Sequence, residues 1–424
     1  MIGQIKTALD QSGIEAYRIA ESVQESLECF FIRKRLEQKR RTYLIDYSVT
    51  VFRPFEKDGQ KMLGSSTVNI HPGMEEKEML DILQGAYSAA ALVCNPYYEL
   101  TRGKKEEMAP AKGRFAGQDL EESTRQMVEA LYAADTAEEV FINSAEVFAK
   151  RVVKRIVNSR GVDVSYETCQ VSGEYVVQCP KPQDVETYHQ FAYRDAQTEE
   201  LRRQVEEALS MTQARAKAVK APKAGEYTVI LSGRQVREVL SYYLVRSQTG
   251  MVYQKYSNYE IGAPIQGQEI SGDAVTIELK AKEPYSEEGI PMKDRILMEK
   301  GTLKTLHGGS RFAYYLGIEP TGDYRSIWVH EGSRTLEEMK SEPYLHIVSF
   351  SDFQMDGFSG YFGGEIRLAF WYDGETVTPV TGGSVNGSIL EAQGRMTFSK
   401  ERYRDENYDG PCAVRIEGVK VAGE

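Results

Sequence analysis

The chain is poor in the residues that hold metals and form disulfides. It has five histidines and five cysteines among 424 residues. No two histidines stand four residues apart, as they would on one face of a metal-binding helix. The cysteines are odd in number and form no C-x-x-C pair, so a disulfide framework or a structural zinc ribbon or finger is not expected. The cysteines are Cys29, Cys94, Cys169, Cys179 and Cys412.

Long apolar runs and an excess of positive charge are also absent. The longest apolar stretch, near 86–94, is too short to span a bilayer, and the N-terminus lacks the apolar core of a secretory signal. The net charge, 52 basic minus 63 acidic side chains, is −11, which disfavours broad contact with nucleic acid. The basic run at 31–41 is expected to be an exposed strand or hairpin face. We therefore expect a cytoplasmic protein that contacts neither membranes nor nucleic acid.

Several catalytic and cofactor motifs are missing as well. The nucleophile elbow G-x-S-x-G and the dinucleotide-binding G-x-G-x-x-G do not occur. The glycine-rich segment 382–388 is followed by neither a lysine nor a predicted helix, so it does not fit a phosphate-binding loop. The pattern around His189 predicts an exposed helix or loop residue, and His307, beside two glycines, is predicted to lie in a hairpin turn.

The first half of the chain shows two stretches of similar organisation. Residues 1–110 and 111–222 each contain strand patterns followed by one long amphipathic helix, which suggests an internal repeat. The polar segment 101–119, rich in lysine and glycine, is predicted to be a linker or long loop. We expect two α+β segments here, with the choice between one domain and two left open.

The second half differs in its glycine content and in its pattern of apolar runs. Of 36 glycines, 25 lie from residue 225 onward, where short β-rich runs alternate with glycine turns. The Asp373-Gly374 pair between apolar runs is typical of a hairpin. We expect residues 223–424 to form a mainly antiparallel β-rich domain built on one large sheet that could curl on itself. The predicted class of the whole chain is α+β.

One helix in this domain carries the candidate site. A short strand, 226–231, breaks at Ser232-Gly233, and residues 234–245 follow with an apolar stripe at helical spacing. We expect this helix to pack on or into the sheet. The 26 tyrosines of the chain include five between 242 and 259, which predict either core and interface packing or a peptide-binding surface.

Short segments, mostly of the second half, resemble in their order and spacing the TldD/PmbA family of peptidase-related proteins, once described as modulators of DNA gyrase. The segment 1–110 agrees with the family only in its general residue pattern and carries no matching motif. The matching segments are NSRG at 158–161, YTVILS at 227–232, SEEGIP at 286–291, EKGTLKTL at 299–306, EPTGDYRS at 319–326, HEGSRTLEEM at 330–339 and the Gly-rich run 358–388.

The resemblance implies one of two kinds of subunit. TldD-like members hold zinc with a His-Glu-x-x-x-His helix and a late cysteine. PmbA-like members, also called TldE, lack the histidines and pair with the first kind, and the pair degrades or trims unfolded or modified peptides. In this sequence Arg237 and Tyr242 stand at the two histidine positions, Glu238 is kept, and Cys412 is a loose match to the late cysteine. The chain therefore resembles the PmbA side.

The chemistry of these side chains agrees with that assignment. Catalytic zinc needs about three protein ligands and one open position. A guanidinium has no lone pair to donate, and a phenol with a pKa near 10 is a poor ligand. Glu238 could act as a general base, or simply pair with Arg234 or Arg237, and Arg237 could hold a substrate carboxylate. We expect no metal and no catalytic residue in this chain, with Arg237, Glu238, Tyr242 and Cys412 as candidate substrate-binding residues.

Three functions remain open at this point. The first is a non-zinc subunit that binds peptides while a TldD-like partner hydrolyses them, with zinc held only by the partner. The second is a self-associating, homodimeric peptide-binding or scaffold protein without proteolytic activity. The third is a peptidase with an unrecognised site. An exposed strand edge in the Gly-rich sheet could bind an extended peptide in any of these roles.

Overall fold

The computed structural model describes residues 1–220 and 223–423. The longer helices lie in the first half of the chain, apart from α5. The helices are α1 (Ile2–Gln11), α2 (Glu76–Ala90), α3 (Leu120–Ala133), α4 (Thr198–Ala216), α5 (Arg234–Arg246), α6 (Thr249–Tyr253), α7 (Ser310–Leu316), α8 (Leu336–Met339) and α9 (Ile389–Ala392), with one 3-10 turn at Arg114–Gly117.

The strands divide into long ones before α4 and mostly short ones after it. The strands are β1 (Ala16–Ile32), β2 (Arg35–Lys57), β3 (Gln60–Ile70), β4 (Phe141–Asn158), β5 (Asp163–Cys179), β6 (Val185–Tyr193), β7 (Val219–Lys220), β8 (Gly225–Ser232), β9 (Ile277–Lys280), β10 (Arg295–Glu299), β11 (Thr302–Leu303), β12 (Ser326–Val329), β13 (Tyr344–Met355), β14 (Tyr361–Tyr372), β15 (Val377–Thr381), β16 (Ser384–Ser388), β17 (Thr397–Phe398), β18 (Arg402–Arg404), β19 (Tyr408–Pro411) and β20 (Ala413–Ala422).

The first six strands form one antiparallel sheet in the order β3-β2-β1-β4-β5-β6. On each side of the β1–β4 seam the chain runs helix, three strands, helix. The seam is continuous from Arg18↔Asn158 to Ile32↔Ser144. Both predicted N-terminal segments therefore contribute to the same sheet.

Each pair of helices covers its own half of that sheet. Helices α1 and α2 bury Ile5, Leu9 and Leu83 against β1–β3, and α3 and α4 bury Met127 and Leu201 against β4–β6. The polar segment 101–119 is a long loop, as predicted, and its backbone bonds to β5 through residues 106 and 109.

The prediction for His189 was wrong. It lies in strand β6, half-buried, with its ring stacked on Tyr175 at 5.1 Å between centroids. The short run around it looks polar because every second residue faces solvent on this edge strand.

The second half has two sheets rather than the single large one expected, and the α+β class is confirmed. One sheet has the order β11-β10-β9-β12-β19-β18. In the other, strand pairings run β13-β8-β20-β16-β14 and return from β14 to β13, so five strands form a closed ring. The anticipated curling is thus present in one sheet only. The predicted Asp373-Gly374 hairpin joins β14 to β15.

Helix α5 lies between these two sheets. Val236, Val239 and Leu240 are fully buried in the cluster that also holds Leu231 of the ring and Ile327 of the six-stranded sheet. The predicted helix and its apolar stripe are therefore confirmed. The predicted exposed basic hairpin is also found, at the tip of β1 and β2. Within the described part of the chain, no helix is both long and apolar enough to cross a membrane.

Candidate functional site

The candidate site is built by the turn from β8 into α5. Gly233 adopts φ 64°, a left-handed conformation that favours glycine, and its N–H donates to the carbonyl of Cys412 at 2.8 Å. This bond ties the start of α5 to the strand end that precedes β20. The helix then presents Arg237, Glu238 and Tyr242 in its first three turns.

Arg237 is paired with an acid from a distant part of the chain. Its Nη1 lies 3.1 Å from Oδ2 of Asp405, and both side chains are partly buried. The other oxygen of Asp405 accepts the backbone N–H of Asn407 at 2.8 Å. A fixed cation therefore stands at the first histidine position, and its charge would repel a metal ion.

Glu238 pairs with Arg234 one helical turn earlier. The Nε of Arg234 lies 3.4 Å from Oε1 of Glu238, which is one of the two pairings expected from the sequence. The arginine is mostly exposed, so this contact stabilises the helix only slightly.

Tyr242 faces the protein interior. It is 1% exposed, and its ring meets Tyr243 edge to face at 5.8 Å. Burial, opposed by Arg246, raises the pKa of its hydroxyl. A protonated, buried phenol fills the second histidine position.

Cys412 is close to α5 in the backbone but not through its side chain. Its sulfur accepts a hydrogen bond from Ser399 Oγ at 3.4 Å and packs in a small cluster with Ile230 and Met339. Val229 and Leu231, the neighbours of Ile230 in β8, belong instead to the cluster that contains α5. Because strand residues alternate between faces, the thiol lies on the side of β8 away from α5.

The site does not fit a zinc ion. Two of the four candidate side chains cannot donate a lone pair or are protonated, and the thiol points elsewhere. Burial also raises the pKa of Cys412, which disfavours the thiolate that binds zinc. Among residues 1–220 and 223–423, no group of three or more His, Cys, Asp or Glu side chains is placed to hold a metal.

A cavity of about 320 Å³ lies beside this helix end, and Asp405, the partner of Arg237, is one of its walls. Trp328 forms another wall, flanked by Lys280 and by the guanidinium of Arg402 at 4.9 Å from the indole ring. The Lys280 amine is already paired with Glu278 and Asp294. The acidic side chains of this cavity, Asp294, Asp405 and Asp409, are each paired with a basic side chain.

A second cavity, of about 380 Å³, was not foreseen from the sequence. We call it the polar cavity. It lies where the N-terminal sheet faces the second half of the chain, and it is bounded by Arg18, Thr50 and Tyr98 on one side and by Glu288, Arg311 and Asp323 on the other. These two sets of walls are far apart in the chain, so local sequence patterns could not bring them together. The segments 158–161, 286–291 and 319–326, singled out by the resemblance, each supply a lining residue.

His307 lies near this cavity, and the prediction that it sits in a hairpin turn was wrong. The side chain is fully buried, and its Nε2 donates to the carbonyl of Leu244 at 3.0 Å. Its Nδ1 accepts the N–H of Tyr324 at 3.4 Å. The adjacent Gly308 allows this close packing, because a Cβ there would lie 2.0 Å from the hydroxyl of Thr249.

Comparison with known proteins identifies the class. Residues 224–423 match the family model of the PmbA/TldA metallopeptidase C-terminal domain. The second half of this chain is therefore a domain of that metallopeptidase-related class. This C-terminal domain belongs to the PmbA/TldA family. No curated protein matches it.

Solved structures share the fold over the whole length. A proposed modulator of a DNA gyrase from Thermotoga maritima aligns with a TM-score of 0.77 at 16% identity, covering all of both chains. TldE from Thermococcus kodakarensis aligns with a TM-score of 0.75 at 17% identity, covering 99% of this chain and all of the other. A proposed gyrase modulator from Bacteroides thetaiotaomicron gives 0.78 at 14%, covering 100% and 99%. At such identities the likeness concerns the fold.

Proposed function

We propose that this chain is the non-zinc subunit of a peptidase, which binds peptides and supports hydrolysis by a zinc-bearing TldD-like partner. One observation carries the proposal: on α5, an ion-paired arginine and a buried tyrosine occupy the positions where the metal-binding histidines would stand. The similarity to TldE supports it, since that archaeal protein has the same overall fold.

The C-terminal sheet offers an edge for an extended peptide. Strand β13 pairs with β8 only at Leu345–Ile347, whereas it pairs with β14 as far as Met355. Within the described residues, the outer side of 349–355 has no strand partner. Main-chain hydrogen bonds along this edge would hold a peptide with little regard to its sequence.

Exposed aromatic side chains lie near the end of that edge. Phe358 is 60% exposed and meets Tyr256 at 5.4 Å, edge to face, and Tyr361 is also exposed. Large exposed aromatic groups are typical of contact surfaces. These side chains, next to the C-terminal end of α5, could contact a peptide or a partner subunit.

Arg237 and the cavity beside its partner Asp405 suggest a role for the position where a zinc-binding histidine would stand. The guanidinium uses Nη1 for Asp405, so its remaining N–H groups are available to a peptide carboxylate or carbonyl. Substrate binding by Arg237, Glu238, Tyr242 or Cys412 is part of the proposal. Since Tyr242 and the Cys412 thiol face the interior, we expect Arg237 to have the largest effect.

A digestion assay tests the main claim. The purified chain, a candidate partner with His-Glu-x-x-x-His, and the mixture are each incubated with unfolded peptide, with and without a zinc chelator. We expect chelator-sensitive cleavage by the mixture, greater than that by the partner alone, and none by this chain alone. Cleavage by the isolated chain would contradict the proposal and favour an unrecognised active site.

Metal analysis and variants sharpen the result. Zinc should be absent from the isolated chain and stoichiometric in the complex. Arg237→Gln should reduce cleavage by the complex, while Arg234→Gln, an exposed position on the same helix, should not. If the chain forms only a homodimer that binds peptide and never stimulates a partner, the alternative scaffold role is favoured instead.

Peptide placement is tested separately. A peptide carrying a photoreactive group should label residues 349–355 in preference to the edge strand β3 of the N-terminal sheet. Labelling confined to another surface would overturn strand addition at β13 while leaving the subunit role intact.

A further inference from the structure

We propose that the polar cavity binds a dipeptide as a zwitterion, with the ligand carboxylate on Arg311 and the ligand ammonium on Asp323. The proposal does not depend on a role in proteolysis, and it concerns a cavity at the opposite end of α5 from Arg237. It rests on the charges, the unpaired polar groups and the size of this cavity.

The charges of the cavity are equal in number but unequally paired. Arg18 and Glu288 lie 3.7 Å apart, and Glu288 also accepts the backbone N–H of Ser310 at 2.8 Å. These two side chains neutralise each other. That leaves Arg311 and Asp323 as the other charged groups of the wall.

Arg311 and Asp323 form no ion pair within the described chain, although Arg325 lies near enough to Asp323 to act on its carboxylate. Nη1 of Arg311 donates only to the neutral amide oxygen of Asn95, at 3.2 Å. The carboxylate of Asp323 has neither a hydrogen bond nor an ion pair among the described residues. Asp323 is exposed and Arg311 is half-buried, so a ligand that displaces water from either charge is penalised unless it supplies the opposite charge. A ligand carrying one charge would leave the other wall group unmatched, whereas a zwitterion compensates both.

Other small ligands fit less well. Phosphate would meet Arg311 but be repelled by Glu288 and Asp323. A divalent cation would meet two carboxylates but also two guanidinium groups, and Glu288 is already held by Arg18 and Ser310. Electrostatic complementarity therefore selects against both ions.

Neutral groups of the wall suit the peptide bond of a dipeptide. The hydroxyl of Ser65 and the side-chain amide of Gln248 line the cavity and have no hydrogen-bond partner among the described residues. They offer a donor and an acceptor for one amide group. The rings of Phe52 and Phe312 supply apolar wall for side chains. The volume, about 380 Å³, is in the range of sites for small ligands.

Calorimetric titration with three matched probes tests the proposal. Alanyl-leucine carries both charges, N-acetyl-alanyl-leucine lacks the ammonium, and alanyl-leucine amide lacks the carboxylate. We expect the free dipeptide to bind and each blocked form to bind about tenfold more weakly or worse, since each loses one charge-assisted contact.

Variants assign the two ends of the ligand. Asp323→Asn should weaken binding of the free dipeptide about tenfold but leave binding of the N-acetyl form unchanged. Arg311→Gln should likewise weaken binding of the free dipeptide about tenfold but leave binding of alanyl-leucine amide unchanged. Asp81→Asn, on the exposed face of α2, and Arg35→Gln, in the exposed hairpin, are matched controls that should alter nothing. Circular dichroism verifies that each variant folds.

The proposal is overturned if alanyl-leucine does not bind at millimolar concentration, or if blocked and free peptides bind equally. It is also overturned if Asp323→Asn and Arg311→Gln leave the affinity unchanged, since binding would then occur elsewhere, for instance along β13. None of these outcomes bears on stimulation of a zinc-bearing partner, so the two proposals fail separately.

Discussion

Arg246 shows how a single side chain can organise one end of a helix. It is 8% exposed, and its Nη1 donates to the carbonyls of Tyr256 and Phe358 at 3.0 and 3.1 Å. Its Nη2 donates to Oδ1 of Asn258 at 3.1 Å. The planar guanidinium reaches three acceptors on two separate loops, which no other side chain could do from this position.

Replacement of Arg246 by Met should therefore be strongly destabilising. Three acceptors would lose their donor in a largely buried place, and we expect a loss of roughly 2–4 kcal/mol in the free energy of unfolding. Urea denaturation measures it. Arg246→Lys keeps the charge but not the planar guanidinium, so its free energy of unfolding should lie between those of the wild type and the Met variant. A Met variant with the small loss typical of an exposed surface substitution would contradict this account.

His307 makes stability depend on pH. Burial, only partly opposed by its bond to Leu244, lowers its pKa to about 4, whereas the unfolded chain has a value near 6.5. Above pH 6.5 both states are neutral and the contribution is fully present. As pH falls from 6.5 towards 4, the unfolded state takes up a proton that the folded state does not, so stability is lost.

The expected slope from His307 is roughly 1 kcal/mol per pH unit in that window. Glutamine can donate to Leu244 as the ring does, so His307→Gln should show a shallower loss of unfolding free energy between pH 7.5 and pH 5. His330→Gln, at a half-exposed position, serves as the control and should retain the wild-type slope. Identical slopes in all three proteins would refute the assignment.

At the scale of elements, α3 illustrates how local sequence sets a helix boundary. Asp119 precedes the helix in an extended conformation, and its Oδ1 accepts the N–H of Glu122 at 2.7 Å. The acidic residues Glu121 and Glu122 follow in the first turn, where the helix dipole favours them. The helix then buries Met127 and Leu131 against the sheet.

Removal of that cap should weaken the element measurably. Asp119→Ala leaves an N–H of the first turn without its partner, and we expect a loss of about 1 kcal/mol in unfolding free energy. Asp119→Asn retains an oxygen acceptor and should lose little. Both are measured by thermal or urea unfolding. An Asn variant as unstable as the Ala variant would show that the charge, rather than the cap, is what matters.

Elements were predicted correctly where the signal lay in the local sequence. The stripe from Val236 to Tyr243, the glycine break before it and the hairpin at Asp373 were all visible in the sequence. His307 and His189 were misjudged because their surroundings come from α5 and from β5, outside their own segments. Neighbouring glycines or acids say nothing about such partners.

At the scale of the whole molecule, the two halves meet through aromatic side chains. Tyr98 and Tyr315 face each other at 6.1 Å, and Tyr97 and Tyr314 at 6.4 Å, both edge to face. The Tyr315 hydroxyl also donates to the carbonyl of Pro96. The segment 95–101 is held against α7 by these contacts, and it forms one wall of the polar cavity.

Tyr315→Ala should loosen this junction. We expect segment 95–101 to exchange its amide hydrogens about tenfold faster or more, because the ring contact and the hydrogen bond are both lost. Hydrogen exchange with mass spectrometry measures it. Tyr315→Phe keeps the ring and should have a smaller effect. Unchanged exchange in the Ala variant would mean that other contacts hold the two halves together.

The sequence by itself determined the α+β fold class, most helices and strands, and the absence of histidine and cysteine from α5, because these depend on residue type and local spacing. Only the tertiary structure decided the division of the second half into two sheets and the direction of the Cys412 thiol. It also assembled the polar cavity from Arg18, Arg311 and Asp323. Such features depend on pairing between distant strands, and the free energy of that pairing is shared among many side chains rather than encoded in any one segment.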